Sequence, residues 1–181
     1  MKIERSILHG SKGQFWHLFR INKRTFHRLV NWLQANADLR RSRDISAEMK
    51  LMVVLWIFAH ATVQRNTASR FGLCQATVCR IMEELLPMFV ILHTEFVRPR
   101  EDDWLDHRIE LEKGLNPFNG CIGAVDGTYI PAFIPLKKQK PWFNRHGTVS
   151  QNVFAAVKLD LSFSYVLTGA EGSINDASLI A

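Results

Sequence analysis

The sequence is poor in the residues that staple or ligate small folds. Cys74, Cys79 and Cys121 are odd in number and none stands in a C-x-x-C spacing, so neither a disulfide framework nor a cysteine zinc site is indicated, and a reducing compartment fits best. The histidines are scattered without an H-E-x-x-H or comparable spacing, which leaves a histidine metal centre or a His-based hydrolase unsupported. Long apolar runs are missing as well. The longest, residues 51–59, is less than half of the ~20 residues needed to span a bilayer, and the opening MKIERSILHG has no apolar h-region of a secretory signal. Internal repeats and low-complexity tracts are also lacking. A soluble, intracellular protein is the expectation.

What is present is enough apolar material to fold. The chain has 181 residues, 47% of them apolar and 22% charged, which suits one sizeable domain or two small ones. The net charge of +6 conceals an asymmetry: residues 1–100 hold 16 Lys and Arg against 7 Asp and Glu, whereas residues 101–181 hold 7 against 10. The basic half is the better seat for a polyanion contact, although a solvated basic surface explains charge alone equally well.

Hydrophobic spacing predicts helices in that basic half. Over residues 22–37, Phe26, Leu29, Val30 and Leu33 recur at three- and four-residue steps behind the cap candidate Asn22. Ser46 precedes AEMKLMVVLWIFAHA, apolar on nearly every face as in a central bundle helix. A short polar helix, QRNTASRF, then stops at Gly72, and a longer one follows with a stripe of Val78, Ile81, Met82, Leu85 and Leu86. Two helices around a tight Gly turn make a helix-turn-helix candidate, with an ordinary antiparallel pair as the competing reading. A charged helix over 102–113 and a turn over 116–120 act as a linker.

After Gly120 the pattern changes. CIGAVDG, SQNVFAAVKLD and FSYVLTGAEG are short, β-branched and aromatic runs bounded by Gly, Asp and Ser, which predicts three strands. NDASLIA then opens like a capped helix. The expected class is α+β, with a helical DNA-binding region at 1–98, a linker at 99–119 and a second domain from 120 to 181.

Two carboxylates carry the chemistry. Asp126 is expected at the end of a hydrophobic strand, and Asp176 after a strand at the start of a helix. Each has a bland alternative, a hairpin turn for Asp126-Gly127 and a helix cap for Asn175 or Asp176. Taken together, flanked by small residues that admit a phosphate, they are candidate catalytic and metal ligands for Mg²⁺ or Mn²⁺, since such hard ions prefer oxygen donors. Between them Lys137, Lys138, Lys140 and Arg145 alternate with Trp142 and Phe143, a pattern that could neutralise phosphates and stack on an unpaired base, or form a solvated basic loop. In the helical half, Gln75, Thr77 and Arg80 stand at the front of the second helix of the pair, where base edges and phosphates are read, and Arg65 and Arg70 on the preceding helix could grip the DNA backbone.

At these residues a family resemblance emerges. AVDGTYIP, NRHGTVSQNVFAAVKLD and GAEGSINDASLI resemble, in order, successive motifs of Harbinger-type transposases, the DDE superfamily endonucleases. FGLCQATVCRIMEELLP is similar to the helix-turn-helix those proteins carry ahead of the nuclease. The resemblance implies an RNase H-like fold, a divalent metal, and cleavage and strand transfer of DNA at transposon ends in the nucleus. It makes Asp126 the first and Asp176 the second catalytic Asp, and puts the third acidic residue downstream of Ala181. Tyr129 stands where the family often has His, and Cys74 where it often has Ser. Because a two-metal site short of one ligand loses most of its chemistry, the expectation is that this polypeptide alone is a poor nuclease. The implied partner is DNA, with a second copy or an accessory DNA-binding protein as further candidates. A nuclear DNA-binding protein without catalysis, derived from a transposase, is the competing expectation.

Overall fold

A computed structural model of the chain describes residues 2–99, 121 and 123–180. The expected linker helix at 102–113 and the turn at 116–120 lie outside the described residues. The chain divides into two compact units, Met1–His93 and Thr94–Ala181.

The first unit is helical: α1 (Lys2–His9), α2 (Lys12–Phe19), α3 (Lys23–Asn36), α4 (Ala47–His60), α5 (Gln64–Phe71) and α6 (Gln75–Phe96). Side-chain caps explain where three of them start. Ser11 accepts from the Gln14 amide at 3.2 Å, Asn22 from Thr25 at 2.8 Å and Ser46 from Met49 at 3.0 Å, each satisfying an amide that the first turn leaves orphaned. Helices α1 and α2 were not anticipated from periodicity, because eight residues each give barely two turns of pattern. α2 is held by packing instead: Phe15, Phe19 and Phe26 meet with ring centroids 4.8 to 6.4 Å apart, and all three are buried. The predicted central helix is central only at its N-terminal half. Residues 51–54 are fully buried, whereas Phe58 is exposed.

α5 and α6 are joined by Gly72, Leu73 and Cys74. Gly72 has φ 64°, the left-handed region that glycine enters without strain, and the Leu73 amide reaches back to the Ala68 carbonyl at 2.9 Å, closing the helix as in a Schellman motif. α6 continues past Pro87, whose missing N–H leaves the Glu83 carbonyl without its helical partner. Across the unit Lys50 is buried, and its ammonium donates to Glu84 at 2.7 and 2.8 Å and to the Arg40 carbonyl at 2.8 Å.

The second unit is a three-stranded antiparallel sheet of order β1-β2-β3, with β1 Gly123–Pro131, β2 Ser150–Lys158 and β3 Phe163–Glu171. A short helix, α7 (Asp176–Ile180), follows β3. Single 3₁₀ turns at Leu136–Lys138 and Lys140–Trp142 fill the connection from β1 to β2. The first strand differs from expectation. It does not turn at Asp126-Gly127 but runs on to Pro131, pairing Asp126 with Ala155, Gly127 with Phe154 and Tyr129 with Asn152. The Asp-Gly hairpin signal is overridden here because the strand on either side of it is paired along β2.

Candidate functional site

Strand alternation decides what β1 offers. Gly127 and Tyr129 share a face with their partners Phe154 and Asn152, both of which are buried. Asp126 lies in mid-strand rather than at a strand end, and its carboxylate is exposed. The Ala132 amide bonds to Val149 at 3.1 Å, so even-numbered residues of β1 face β2 with their amides and odd-numbered ones face the edge away from β2. Gly127 is one of the latter, and its amide donates to Asp126 Oδ1 at 2.8 Å. The Asp126 carboxylate is thereby drawn to the edge of β1 away from β2.

Asp176 arrives from the other side of the chain. The loop after β3 passes close over Trp142 and Ser150, where Gly172 leaves no room for a side chain against their carbonyls, and the Ser173 amide ties the loop to the Pro141 carbonyl at 3.1 Å. Asn175 caps α7, accepting from the Ser178 amide at 2.9 Å and its hydroxyl at 3.0 Å. The cap is therefore Asn175, and the Asp176 carboxylate has a different partner: Asn152 Nδ2 donates to its Oδ1 at 2.8 Å. Its carboxylate rests against Gly127, in the space that a β-carbon there would need.

The two carboxylates line one open cavity of about 690 Å³, shared with Thr128 and Tyr129 of β1, Phe143, Asn144 and Arg145 of the following loop, and Gly172, Ser173 and Asn175. They come from mid-strand β1, where the sequence suggests a strand end, and from the start of the helix after β3, where the sequence places Asp176. Buried Asn144 organises the loop tip. Its amide nitrogen donates to Thr148 at 2.7 Å and Ser150 at 3.0 Å, while its oxygen accepts from the His146 and Thr148 amides at 2.9 and 3.1 Å. Arg145 and His146 are thus held out at the rim, and His146 meets the Tyr129 ring edge-on at 6.2 Å. Of the basic loop, Arg145 lines the cavity; Lys137, Lys138 and Lys140 are exposed outside its lining.

The donor set suits a hard cation. Asp126 and Asp176 each accept a hydrogen bond at Oδ1 from an amide donor, both residues line the same cavity, and Mg²⁺ is commonly held by one or two carboxylates with waters and phosphates. Among the described residues no group of three or more His, Cys, Asp or Glu is gathered.

In the helical unit Arg65, Arg70, Gln75 and Arg80 are exposed and Thr77 is half-buried. Arg70 is partly committed, its guanidinium 5.2 Å over the Trp56 ring. Thr77 lies 3.0 Å from the Cys74 thiol. That hydrogen bond, reinforced by the Thr77 backbone and the charge of Arg80, lowers the Cys74 pKa, whereas the Glu83 carboxylate raises that of Cys79. Sequence reasoning missed Asn144 and Asn152. A signal existed for the second: in SQNVFAAVK a polar Asn shares the face of Phe154, which is apolar and inward.

Comparison with known proteins finds the chain similar to transposase-derived nucleases. The chain is 25% identical over 155 residues to the human "Putative nuclease HARBI1", covering 84% of this chain and 44% of that protein. It is 25% identical over 174 residues to "Protein ALP1-like" of Arabidopsis thaliana, covering 90% of this chain and 42% of that one. The chain thus spans less than half the length of these curated relatives. Residues 2–91 match the family described as "Domain of unknown function (DUF8040)". No solved structure matches the chain significantly. Among the described residues no helix is long and apolar enough to cross a membrane.

Proposed function

We propose that this chain carries the DNA-binding region and the first two metal ligands of a Harbinger-type DDE nuclease, acting on DNA phosphodiesters in the nucleus. The observation that carries the reading is the convergence of Asp126 and Asp176 on one cavity whose rim holds Arg145. In this reading the sheet and α7 are the opening part of an RNase H-like domain, a sheet of three antiparallel strands followed by a helix. Bound Mg²⁺ or Mn²⁺ would supply activation of water and stabilisation of the leaving oxygen. This chain's own part is to hold the ion with two carboxylates and the adjoining phosphate with Arg145. Lys137, Lys138 and Lys140 extend the basic surface along the DNA backbone.

The helical unit is proposed to bind duplex DNA as a helix-turn-helix, with α6 presenting Gln75, Thr77 and Arg80 and α5 supplying Arg65 and Arg70. A second reading is DNA binding without cleavage, favoured by the exposed Arg65, Arg70, Gln75 and Arg80 of α5 and α6. Calorimetric titration of Mg²⁺ or Mn²⁺ into the chain, beside Asp126→Ala and Asp176→Ala, separates the two. Saturable binding that both variants abolish supports the nuclease half-site. A folded chain that takes neither ion overturns it and leaves DNA binding as the function to assay.

A further inference from the structure

Asn152 is 1% exposed, in mid-strand on β2, on the face it shares with apolar Phe154. Its Nδ2 makes two hydrogen bonds, to Asp176 Oδ1 at 2.8 Å and to the Ile174 carbonyl at 3.0 Å. Both partners are acceptors, so the amide has one orientation: turning it over would set its oxygen against two others. The consequence is visible at the other end of the group. Asn152 Oδ1 is buried without a hydrogen-bond partner among the described residues, an arrangement that disfavours the fold. An apolar side chain would avoid that penalty at a position facing inward from a sheet.

We infer that Asn152 is the positioning residue of the proposed metal site, fixing the Asp176 carboxylate by one oxygen so that the other stays available to a divalent cation. The inference rests on the nuclease reading and deepens it. Two restraints act on Asp176 together. Asn152 pulls Oδ1 toward β2, and Gly127 gives the carboxylate a floor with no side chain in the way. The second bond, to Ile174, ties the same amide to the turn that leads into α7, so the helix start and the carboxylate are set by one group. Partners of this kind, which hold a ligating carboxylate without touching the ion, change metal affinity by about 10–100-fold when removed.

The test combines metal binding with a metal-free signal. In Mn²⁺ titrations of the full chain, Asn152→Ala and Asn152→Ser should weaken binding about ten-fold or more, with far-UV circular dichroism unchanged. Wild-type affinity in both Asn152 variants would overturn the proposal. Without metal, the Asn152 side-chain amide resonances in nitrogen-15 spectra should shift when Asp176 becomes Ala, and an unmoved signal also overturns it. If the wild type takes no Mn²⁺, the nuclease reading fails separately and the amide resonances alone decide whether Asn152 holds Asp176.

Discussion

Gly127 and Asp176 occupy one volume: a β-carbon on the strand residue would lie 2.7 Å from Oδ2 of the helix residue, and closer still to the rest of that carboxylate. The glycine of the Asp-Gly pair is therefore needed for close approach, in an extended strand, rather than for a turn.

Gly127→Ala should consequently act on Asp176 rather than on the helical unit. The added methyl has to push the carboxylate off Asn152 or shift β1, and overpacking of this kind costs about 1–3 kcal/mol. Calorimetry should show Mn²⁺ affinity reduced at least ten-fold, consistent with a 1.4 kcal/mol change per decade. Thermal unfolding of the sheet unit should move to lower temperature. Undiminished Mn²⁺ affinity would mean that Asp176 is not a ligand in the geometry described.

How far the sequence foretells this site depends on which interactions are local. The caps Asn22 and Ser46, the stop at Gly72 and the three strand cores follow from short-range rules, and the structure has them. The extension of β1 through Pro131 does not, since Asp126-Gly127 reads locally as a hairpin and only pairing with Phe154 and Ala155 keeps it straight. The choice between Asn175 and Asp176 as the cap was open in the sequence. Asn175 takes it by accepting from Ser178, while Asp176 is held by Asn152, 24 residues away, a contact that no local pattern encodes. α1 and α2 were missed for a related reason: they are too short for periodicity, and α2 is held by aromatic packing against α3.

The Lys50–Glu84 pair gives a stability prediction within the helical unit. The Lys50 side chain is 6% exposed and that of Glu84 36%, so Glu84→Ala strands a buried ammonium on the Arg40 carbonyl alone. Breaking a fully buried pair costs about 3–5 kcal/mol; partial solvation of Glu84 puts the expected loss nearer 2 kcal/mol. Replacing both residues, Lys50→Met with Glu84→Gln, should cost less than Glu84→Ala. Urea unfolding followed by circular dichroism measures both, and equal midpoints for wild type and Glu84→Ala would show that the pair is dispensable.

Cys74 and Cys79 should differ in reactivity, since the nucleophile is the thiolate. The Thr77 hydroxyl stabilises the charged form of Cys74 and lowers its pKa, while the Glu83 carboxylate disfavours the charged form of Cys79 and raises its pKa. At pH values below the ordinary thiol pKa, Cys74 therefore carries the larger thiolate fraction. Iodoacetamide labelling read by mass spectrometry should modify Cys74 first, and Thr77→Val should slow it and move its pH profile upward. Faster labelling of Cys79 would contradict the hydrogen-bond assignment.

The salt dependence of DNA binding tells which unit holds the duplex. Each phosphate contact contributes about 0.9 to the slope of log affinity against log salt. If α5 and α6 form the interface, Arg80→Ala and Arg65→Ala should each reduce that slope by about 1, and Gln75→Ala should relax sequence preference with little change in slope. Arg70→Ala is a poorer probe, because Arg70 also stacks on Trp56 and its loss weakens packing. Changing Lys137, Lys138 and Lys140 to Ala together should lower the slope further only where DNA also follows the sheet unit. Fluorescence anisotropy of a labelled duplex across a salt series distinguishes these cases. A slope untouched by Arg65 and Arg80 but collapsed by the three lysines would move the DNA footprint off α5 and α6 and onto the loop beside the carboxylates.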